Sequence, residues 1–232
     1  MTIQTTRYTR WELHQARQRV GAVLERLARG GMVIVQDDED RENEGDFIAP
    51  AQDISYADLN TMVHRGAGLV CVALGPEIIR GLQLGPQTAG PLPDAATEYS
   101  DLPTPGDAQG TAFTVSVDAA QGITTGISIA DRLRTLRVLS DPASTPGDLR
   151  RPGHIFPLAA RSGGLVQRRG HTEAAVELCR AAGRRSAGVI CEILNPDGTM
   201  ARAGDLQSLA SELAMPLCSI QDIVIALALE SP

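Results

Sequence analysis

Apolar residues recur every three or four positions early in the chain, at Leu13, Ala16, Val20, Val23, Leu24 and Leu27. This spacing lines one face of an α-helix, so it predicts an amphipathic helix whose apolar face packs on a core. Gly30 and Gly31 follow the last of these positions, where glycine commonly ends a helix.

Shorter apolar segments follow, and they predict strands at residues 32–35, 47–49, 69–74, 112–117, 155–158, 189–194 and 217–220. Helices are predicted at residues 55–64, 128–139, 172–182 and 206–214, and again after residue 219. Ser55, Ser128 and Ser219 each precede an aspartate by three residues, which is the spacing of a helix-capping box. Thr172 is the predicted cap of the helix at 172–182.

The order of these elements predicts the fold class. Strands alternate with helices, but short turns such as Asp197-Gly198 also reverse the chain directly. This favours an α+β (mixed α/β) fold, a three-layer α/β/α sandwich around a mixed, twisted sheet. The 232 residues are 43% apolar and contain no linker-like stretch, so a single domain covering residues 1–232 is predicted.

One long segment lacks any periodicity. Between residues 85 and 110, nine of 26 residues are Gly or Pro and Tyr99 is the only aromatic residue. A connection of this length inside a compact domain is usually a lid, a binding loop or a disordered segment. The sequence predicts a long loop here and leaves these three alternatives open.

Charge and cysteine content exclude several classes of protein. The net charge of −7 argues against a nucleic-acid surface, and the longest apolar run, at residues 223–229, is too short to span a bilayer. The four cysteines show no C-x-x-C spacing and lie among apolar residues, so they are predicted to be buried thiols of a reducing compartment. A soluble cytoplasmic protein with no nucleic-acid or membrane partner is expected.

Seven of the 28 carboxylates lie within residues 37–46, between two predicted strands. Carboxylates this close repel one another unless cations intervene, and oxygen ligands suit Mg²⁺ or Mn²⁺. Gly45 lets the backbone turn where a side chain would obstruct a ligand. The stretch is therefore a candidate cation site, and a solvated acidic loop is the alternative.

A second candidate site precedes the helix at 172–182. Arg168 and Arg169 supply guanidinium groups, Gly170 exposes backbone N–H groups, and the helix N-terminus favours negative charge. Together these features predict a phosphate site. The alternative is a helix cap with incidental surface arginines.

Two further residues are candidates for proton transfer. Glu192 shares a strand face with Ile190 and Leu194, so it is predicted to be buried, where a carboxyl group can act as a general acid or base. His154 heads the strand at 155–158 after a predicted turn at Arg151-Pro152. For each residue a structural role, as an ion-pair or hydrogen-bonding partner, is the alternative.

The chain resembles the 3,4-dihydroxy-2-butanone 4-phosphate synthase family, whose members act on ribulose 5-phosphate in riboflavin biosynthesis. The resemblance rests on motifs in the family's order: DEDRENEGD at residues 38–46, TAFTV at 111–115, GITTG at 122–126, RPGH at 151–154, GHTE at 170–173, GVICE at 188–192 and DGTMAR at 197–202. It implies a three-layer sandwich, a homodimer with active sites near the subunit interface, and a lyase that releases formate.

The resemblance also implies residue roles. Glu42 and His171 would be ligands of Mg²⁺ or Mn²⁺, with two ions per active site, and His154 and Glu192 would be catalytic residues for proton transfer. The substrate-binding positions implied are Arg41, Glu42, Asp46, Arg168, Arg169, Gly170, His171, Thr172 and Glu192.

The sequence departs from the family pattern at His64-Arg65, where the two residues are reversed, at Ala159, and in the 85–110 loop. Two alternatives therefore stay open: a paralogue acting on a different sugar phosphate, and a non-catalytic ligand-binding homologue.

Overall fold

The structure is a computed structural model that describes residues 8–87 and 110–228. Most of the predicted 85–110 loop lies outside the described residues. Within them, no helix combines the length and apolar content needed to cross a bilayer.

A seven-stranded mixed sheet forms the middle layer. Its strands are β1 (Val33–Gln36), β2 (Gly45–Pro50), β3 (Cys71–Leu74), β4 (Val117–Ala119), β5 (Leu149–Ala159), β6 (Ala187–Glu192) and β7 (Leu217–Ser219). They lie in the order β4-β5-β3-β6-β2-β1-β7. The pairs β3/β5 and β1/β7 are parallel, and the other neighbours are antiparallel.

Helices cover both faces of the sheet. They are α1 (Arg10–Ala28), α2 (Tyr56–Thr61), α3 (Pro76–Gly81), α4 (Ile129–Ser140), α5 (Gly164–Gln167), α6 (His171–Ala181), α7 (Ala203–Glu212) and α8 (Ile220–Ala226). Buried residues of α1, α5, α6 and α8 form one apolar cluster with the sheet, and those of α2, α3, α4 and α7 form the other. This confirms the predicted three-layer arrangement.

Local signals placed the starts of three helices correctly. Ser55, Ser128 and Ser219 each accept a hydrogen bond from the backbone N–H three residues later, at the start of α2, α4 and α8. In α1, four of the six predicted apolar positions are buried: Ala16, Val20, Val23 and Leu27. All four cysteines are buried free thiols.

Several predictions of local structure are wrong. The helix expected at 55–64 becomes a π-helical turn at Met62–Gly66. In the segment expected as a strand at 112–117, Phe113 and Thr114 form only isolated bridges, and β4 begins at Val117. The predicted turn at Arg151-Pro152 lies inside β5, which runs without interruption from Leu149 to Ala159. Gly170, not Thr172, is the N-cap of α6.

Candidate active site

Asp37, which is only 3% exposed, holds the acidic loop between β1 and β2. The Asp37 carboxylate accepts hydrogen bonds from the Arg41 guanidinium at 2.7 Å and from the backbone N–H groups of Glu42 at 3.2 Å and Glu44 at 2.8 Å. Arg202, at the start of α7, donates to the Glu42 carbonyl at 2.8 Å. The loop therefore has a fixed conformation and is not a loosely solvated turn.

His171 opens α6 and points back to this loop. Its Nε2 lies 3.1 Å from the carbonyl oxygen of Val35. A carbonyl only accepts, so Nε2 carries the hydrogen and Nδ1 keeps its lone pair. Burial lowers the pKa of His171 to about 4, so the ring is neutral at neutral pH and Nδ1 is available as a metal ligand.

Asp46 faces the same nitrogen. Its Oδ1 lies 3.6 Å from His171 Nδ1 and, in the part of the chain that the structure describes, is buried without a hydrogen-bond partner. Burial, with repulsion from neighbouring carboxylates such as Glu192, raises the pKa of Asp46 well above its usual value. Two lone-pair atoms facing each other in a buried site need a proton or a cation between them.

A cation fits this arrangement. Ligand atoms of Asp37, Glu42 and His171 lie within 4.8 Å of one another. Both oxygens of Asp37 already accept hydrogen bonds from the loop, whereas Glu42 has one neighbour in the Arg41 guanidinium. Asp37 was not singled out from the sequence. The only available signal was that it is the first acidic residue after an apolar strand.

Glu192 lies beside Asp46, because the two residues are paired in the β2/β6 register. It is half-buried, so the prediction that this carboxylate is buried is wrong. Its Oε2 accepts a hydrogen bond from the backbone N–H of Leu69 at 2.8 Å. Gly68 allows this approach, since a Cβ there would lie 2.7 Å from the same oxygen.

The sheet register brings His154 to the same edge. Cys71 of β3 pairs with Phe156 of β5 and with Ile190 of β6. His154 precedes Phe156 by two residues and Glu192 follows Ile190 by two, so β5 and β6 carry them just beyond the same end of β3, on either side of the segment that contains Leu69. Two strand spacings, about 10 Å, therefore separate their backbones, so a small substrate can lie between the two side chains.

The two arginines of the candidate phosphate site already have acidic partners. Arg168 lies 2.6 Å from the buried Glu173 and donates to the Thr111 hydroxyl at 2.8 Å, while Arg169 Nε lies 3.1 Å from Asp38. A Cβ at Gly170 would lie 2.3 Å from Arg168 Nη1. Glycine thus lets the Arg168 guanidinium lie against the start of α6. This position does not support the alternative in which Arg168 is an incidental surface arginine.

Thr172 lies one residue inside α6 and is buried. Arg41 contacts Asp37 and Glu42 through the same Nη1 atom. The structure therefore places Arg41, Glu42, Asp46, His171 and Glu192 around the end of β2. Residues 168–170 lie on the segment that leads into α6, next to His171.

The family model for 3,4-dihydroxy-2-butanone 4-phosphate synthase matches residues 21–226. A protein of that name from Chromobacterium violaceum is 47% identical over 205 residues, which is 88% of this chain and 91% of the relative.

Two solved structures are also similar. A 3,4-dihydroxy-2-butanone 4-phosphate synthase in complex with two magnesium ions has a TM-score of 0.80 and 37% identity, covering 90% of this chain and 95% of that one. A two-domain synthase from A. baumannii has a TM-score of 0.78 and 39% identity. The match covers 89% of this chain but only 56% of that longer protein.

Proposed function

The chain belongs to the 3,4-dihydroxy-2-butanone 4-phosphate synthase family, and we propose that it converts ribulose 5-phosphate to 3,4-dihydroxy-2-butanone 4-phosphate and formate in riboflavin biosynthesis. The observation that carries this proposal is the grouping of the buried Asp37 and His171 with the partly exposed Glu42, beside the buried Asp46 oxygen that lacks a hydrogen-bond partner among the described residues. Such a set suits sugar chemistry in which negative charge develops on oxygen.

Glu42 and His171 are the proposed ligands of Mg²⁺ or Mn²⁺, with two ions in each active site. Asp37 shapes the loop that presents Glu42, and the hydrogen bond to Val35 orients the His171 ring. When bound, the cation supplies Lewis acidity to the sugar oxygens. Asp46 and Arg41 adjoin this position and contact the sugar.

Proton transfer falls to His154 and Glu192. The reaction includes enolisation, dehydration, a one-carbon skeletal shift and cleavage, so protons move several times. Formate and the four-carbon phosphate together contain all the atoms of ribulose 5-phosphate, so the water lost in dehydration must be returned before the products separate. His154 and Glu192, on opposite sides of Leu69, can act on different atoms of the same sugar.

The phosphate takes no part in bond changes and serves to hold the sugar in place. Arg168, Arg169, Gly170 and Thr172 are its proposed contacts, because they surround the N-terminal end of α6 next to His171. Glu173 fixes the Arg168 guanidinium in one orientation. This arrangement limits binding to sugars of one length between the phosphate and the reacting carbons.

The purified protein is expected to release formate from ribulose 5-phosphate, and excess EDTA should abolish the reaction. Formate is measured with a coupled dehydrogenase, and the four-carbon product by ¹³C NMR of labelled substrate. Added Mg²⁺ or Mn²⁺ should restore the rate after the chelator is removed. Formate release that persists without any divalent cation would contradict the proposed site.

Two alternatives are tested in the same assay. A paralogue would be active on xylulose 5-phosphate or ribose 5-phosphate in preference to ribulose 5-phosphate. A non-catalytic homologue would bind the sugar phosphate without releasing formate, whichever cation is added.

A homodimer working in the cytoplasm is also proposed. Leu69, which is 43% exposed, binds Glu192 through its backbone N–H. Ile127, which is 54% exposed, directly follows Gly126, and Gly126 lies against His154. Apolar side chains exposed beside a site are common at subunit contacts. The free buried cysteines are consistent with a reducing compartment. Light scattering of the purified protein measures the oligomeric state.

Arg168→Lys is expected to raise KM for ribulose 5-phosphate by about 10- to 100-fold, the usual weight of a hydrogen bond to a charged group, with a smaller change in kcat. Lysine keeps a charge beside the buried Glu173, so the fold is less disturbed than by alanine. Steady-state kinetics on ribulose 5-phosphate and on unphosphorylated ribulose measure the effect. Catalytic efficiency on ribulose should fall much less.

Arg180→Lys is the matched control, because Arg180 lies at the other end of α6 and pairs with Glu77 on the surface. Its KM should equal that of the wild type. Equal losses on both sugars in Arg168→Lys would show that Arg168 supports the fold and does not contact phosphate.

A further inference from the structure

The Arg168 guanidinium is attached to the protein at both of its terminal nitrogens. Nη1 lies 2.6 Å from the Glu173 carboxylate, and Nη2 donates a hydrogen bond to the Thr111 hydroxyl at 2.8 Å. The Arg168 side chain is 12% exposed and that of Glu173 is 1% exposed. A guanidinium is planar and rigid, so contacts at two of its nitrogens set the tilt of the whole group.

The two partners of Arg168 come from distant parts of the chain. Glu173 lies in the first turn of α6, whereas Thr111 precedes Arg168 by 57 positions. The segment that contains Thr111 is itself held against the sheet, because the carbonyl of Ala112 accepts a hydrogen bond from the backbone N–H of Ala159 at 2.9 Å. The Thr111 hydroxyl therefore reaches Arg168 from a fixed position.

A second arginine joins the same segment to the same carboxylate. Arg161 Nη2 donates to the Gly110 carbonyl at 3.0 Å, and the Arg161 backbone N–H donates to Glu173 at 3.0 Å. Gly110 has a φ of +68°, which glycine adopts without strain. Residues 110–111 are thus connected to Glu173 through both Arg161 and Arg168.

The chemistry of the two contacts differs in a way that matters for an anion. The Glu173 carboxylate offsets part of the positive charge of Arg168. A hydroxyl accepts a hydrogen bond without adding a negative charge, so Thr111 orients the guanidinium and leaves the surroundings attractive to phosphate. The guanidinium lies against Gly170, the N-cap of α6, where backbone N–H groups and the helix end also favour an anion.

We infer that Thr111 is a positioning residue of the phosphate site: its hydroxyl, together with Glu173, holds the Arg168 guanidinium in the orientation that binds the phosphate of the sugar. The inference rests on the proposed function, because it requires Arg168 to contact that phosphate. Thr111 acts through Arg168 and is not itself a proposed contact of the sugar.

Thr111→Val is the first test, because it removes the hydroxyl and keeps the shape of the side chain. We expect KM for ribulose 5-phosphate to rise by about 2- to 10-fold, the usual weight of one hydrogen bond, with kcat nearly unchanged. Thr111→Ser keeps the hydroxyl and should have a KM close to that of the wild type. An unchanged KM in Thr111→Val, or no recovery in Thr111→Ser, overturns the inference.

Inorganic phosphate tests the site without catalysis. Its Kd, measured by ³¹P NMR titration, should rise in Thr111→Val by about the same factor as KM and stay near the wild-type value in Thr111→Ser. Equal phosphate binding by the wild type and Thr111→Val, or no binding by either, overturns the inference. Wild-type protein that binds phosphate but releases no formate would instead refute the proposed function, and the phosphate Kd values would still decide the role of Thr111.

A double-mutant cycle tests whether Thr111 acts through Arg168. Arg168→Lys removes Nη2, so the Thr111 hydroxyl no longer has a guanidinium to orient. Residues in one hydrogen-bond network are expected to be non-additive, so in this background Thr111→Val should change KM by less than about 2-fold. Full additivity of the two changes would show that Thr111 acts elsewhere, which overturns the inference.

Thr114→Val is the matched control. Thr114 lies in the same segment and is fully buried, and its hydroxyl donates to the Pro157 carbonyl at 3.0 Å. It should lower Tm while KM and the phosphate Kd keep their wild-type values. An equal rise of KM in Thr114→Val and Thr111→Val would mean that any hydrogen bond lost from this segment disturbs the site, which overturns the inference. Thr111 is partly exposed, and if its valine variant does not fold, Thr111→Ala replaces it in all three measurements.

Discussion

Glu42→Gln is expected to lose cation binding and turnover while the protein stays folded. The amide keeps the shape and one acceptor oxygen, but it removes the charge that Mg²⁺ and Mn²⁺ require from an oxygen ligand. Removing a residue that only orients a metal ligand costs about 10- to 100-fold in metal affinity or activity. Losing the metal ligand itself should therefore cost at least about 100-fold in both. Mn²⁺ titration followed by electron paramagnetic resonance measures the affinity directly.

The fold should survive, because Glu42 is not what holds the loop. Its backbone N–H donates to Asp37 and its carbonyl accepts from Arg202, and both contacts persist in the variant. Glu39→Gln is the matched control, since Glu39 lies in the same loop and is exposed. Glu39→Gln should bind Mn²⁺ like the wild type. If Glu42→Gln does so too, the cation is not held by Glu42.

The features that the sequence predicted well are those with local causes. The three-and-four spacing of apolar residues defines α1, and the serines before α2, α4 and α8 make their caps within three residues. The acidic loop was placed between two strands because apolar runs flank it directly. None of these features depends on a distant part of the chain.

The errors arise where a distant partner decides the outcome. Glu192 stays half-buried because Gly68 and Leu69, in the segment that leads into β3, leave room for its carboxylate and bind it. The segment at Arg151-Pro152 was predicted to be a turn from its own residues, but the chain on both sides of it pairs with β4 and it lies within β5. Periodicity within one segment contains no information about such partners.

The same reason explains the parts of the site that were missed. Asp37 holds the acidic loop because the loop folds back on it, and Asp118 contacts the His154 ring where β4 shifts register beside β5. Arg168 was predicted to present its guanidinium to a phosphate, and its pairing with the buried Glu173 was not predicted. Long-range pairing, which the sequence motifs do not show, determines what each of these residues contacts.

His154→Ala and Glu192→Gln are each expected to slow turnover by about 10²-fold or more while substrate binding stays roughly intact, because each removes a proton carrier and no phosphate contact. Glutamine at 192 can still accept the hydrogen bond from Leu69, so the fold should be preserved. Pre-steady-state formate release measures the chemical step, and equilibrium binding of ribulose 5-phosphate measures affinity separately.

The alanine variant offers a further test of the proton-transfer role, because the missing imidazole side chain leaves space at an exposed position beside Asp118. Added imidazole should therefore restore part of the rate of His154→Ala but none of the rate of Glu192→Gln. His14→Ala, on the exposed face of α1, is the matched histidine control and should have the wild-type kcat. An unchanged rate in both site variants would assign His154 and Glu192 to the structural alternative, as hydrogen-bonding partners of Asp118 and Leu69.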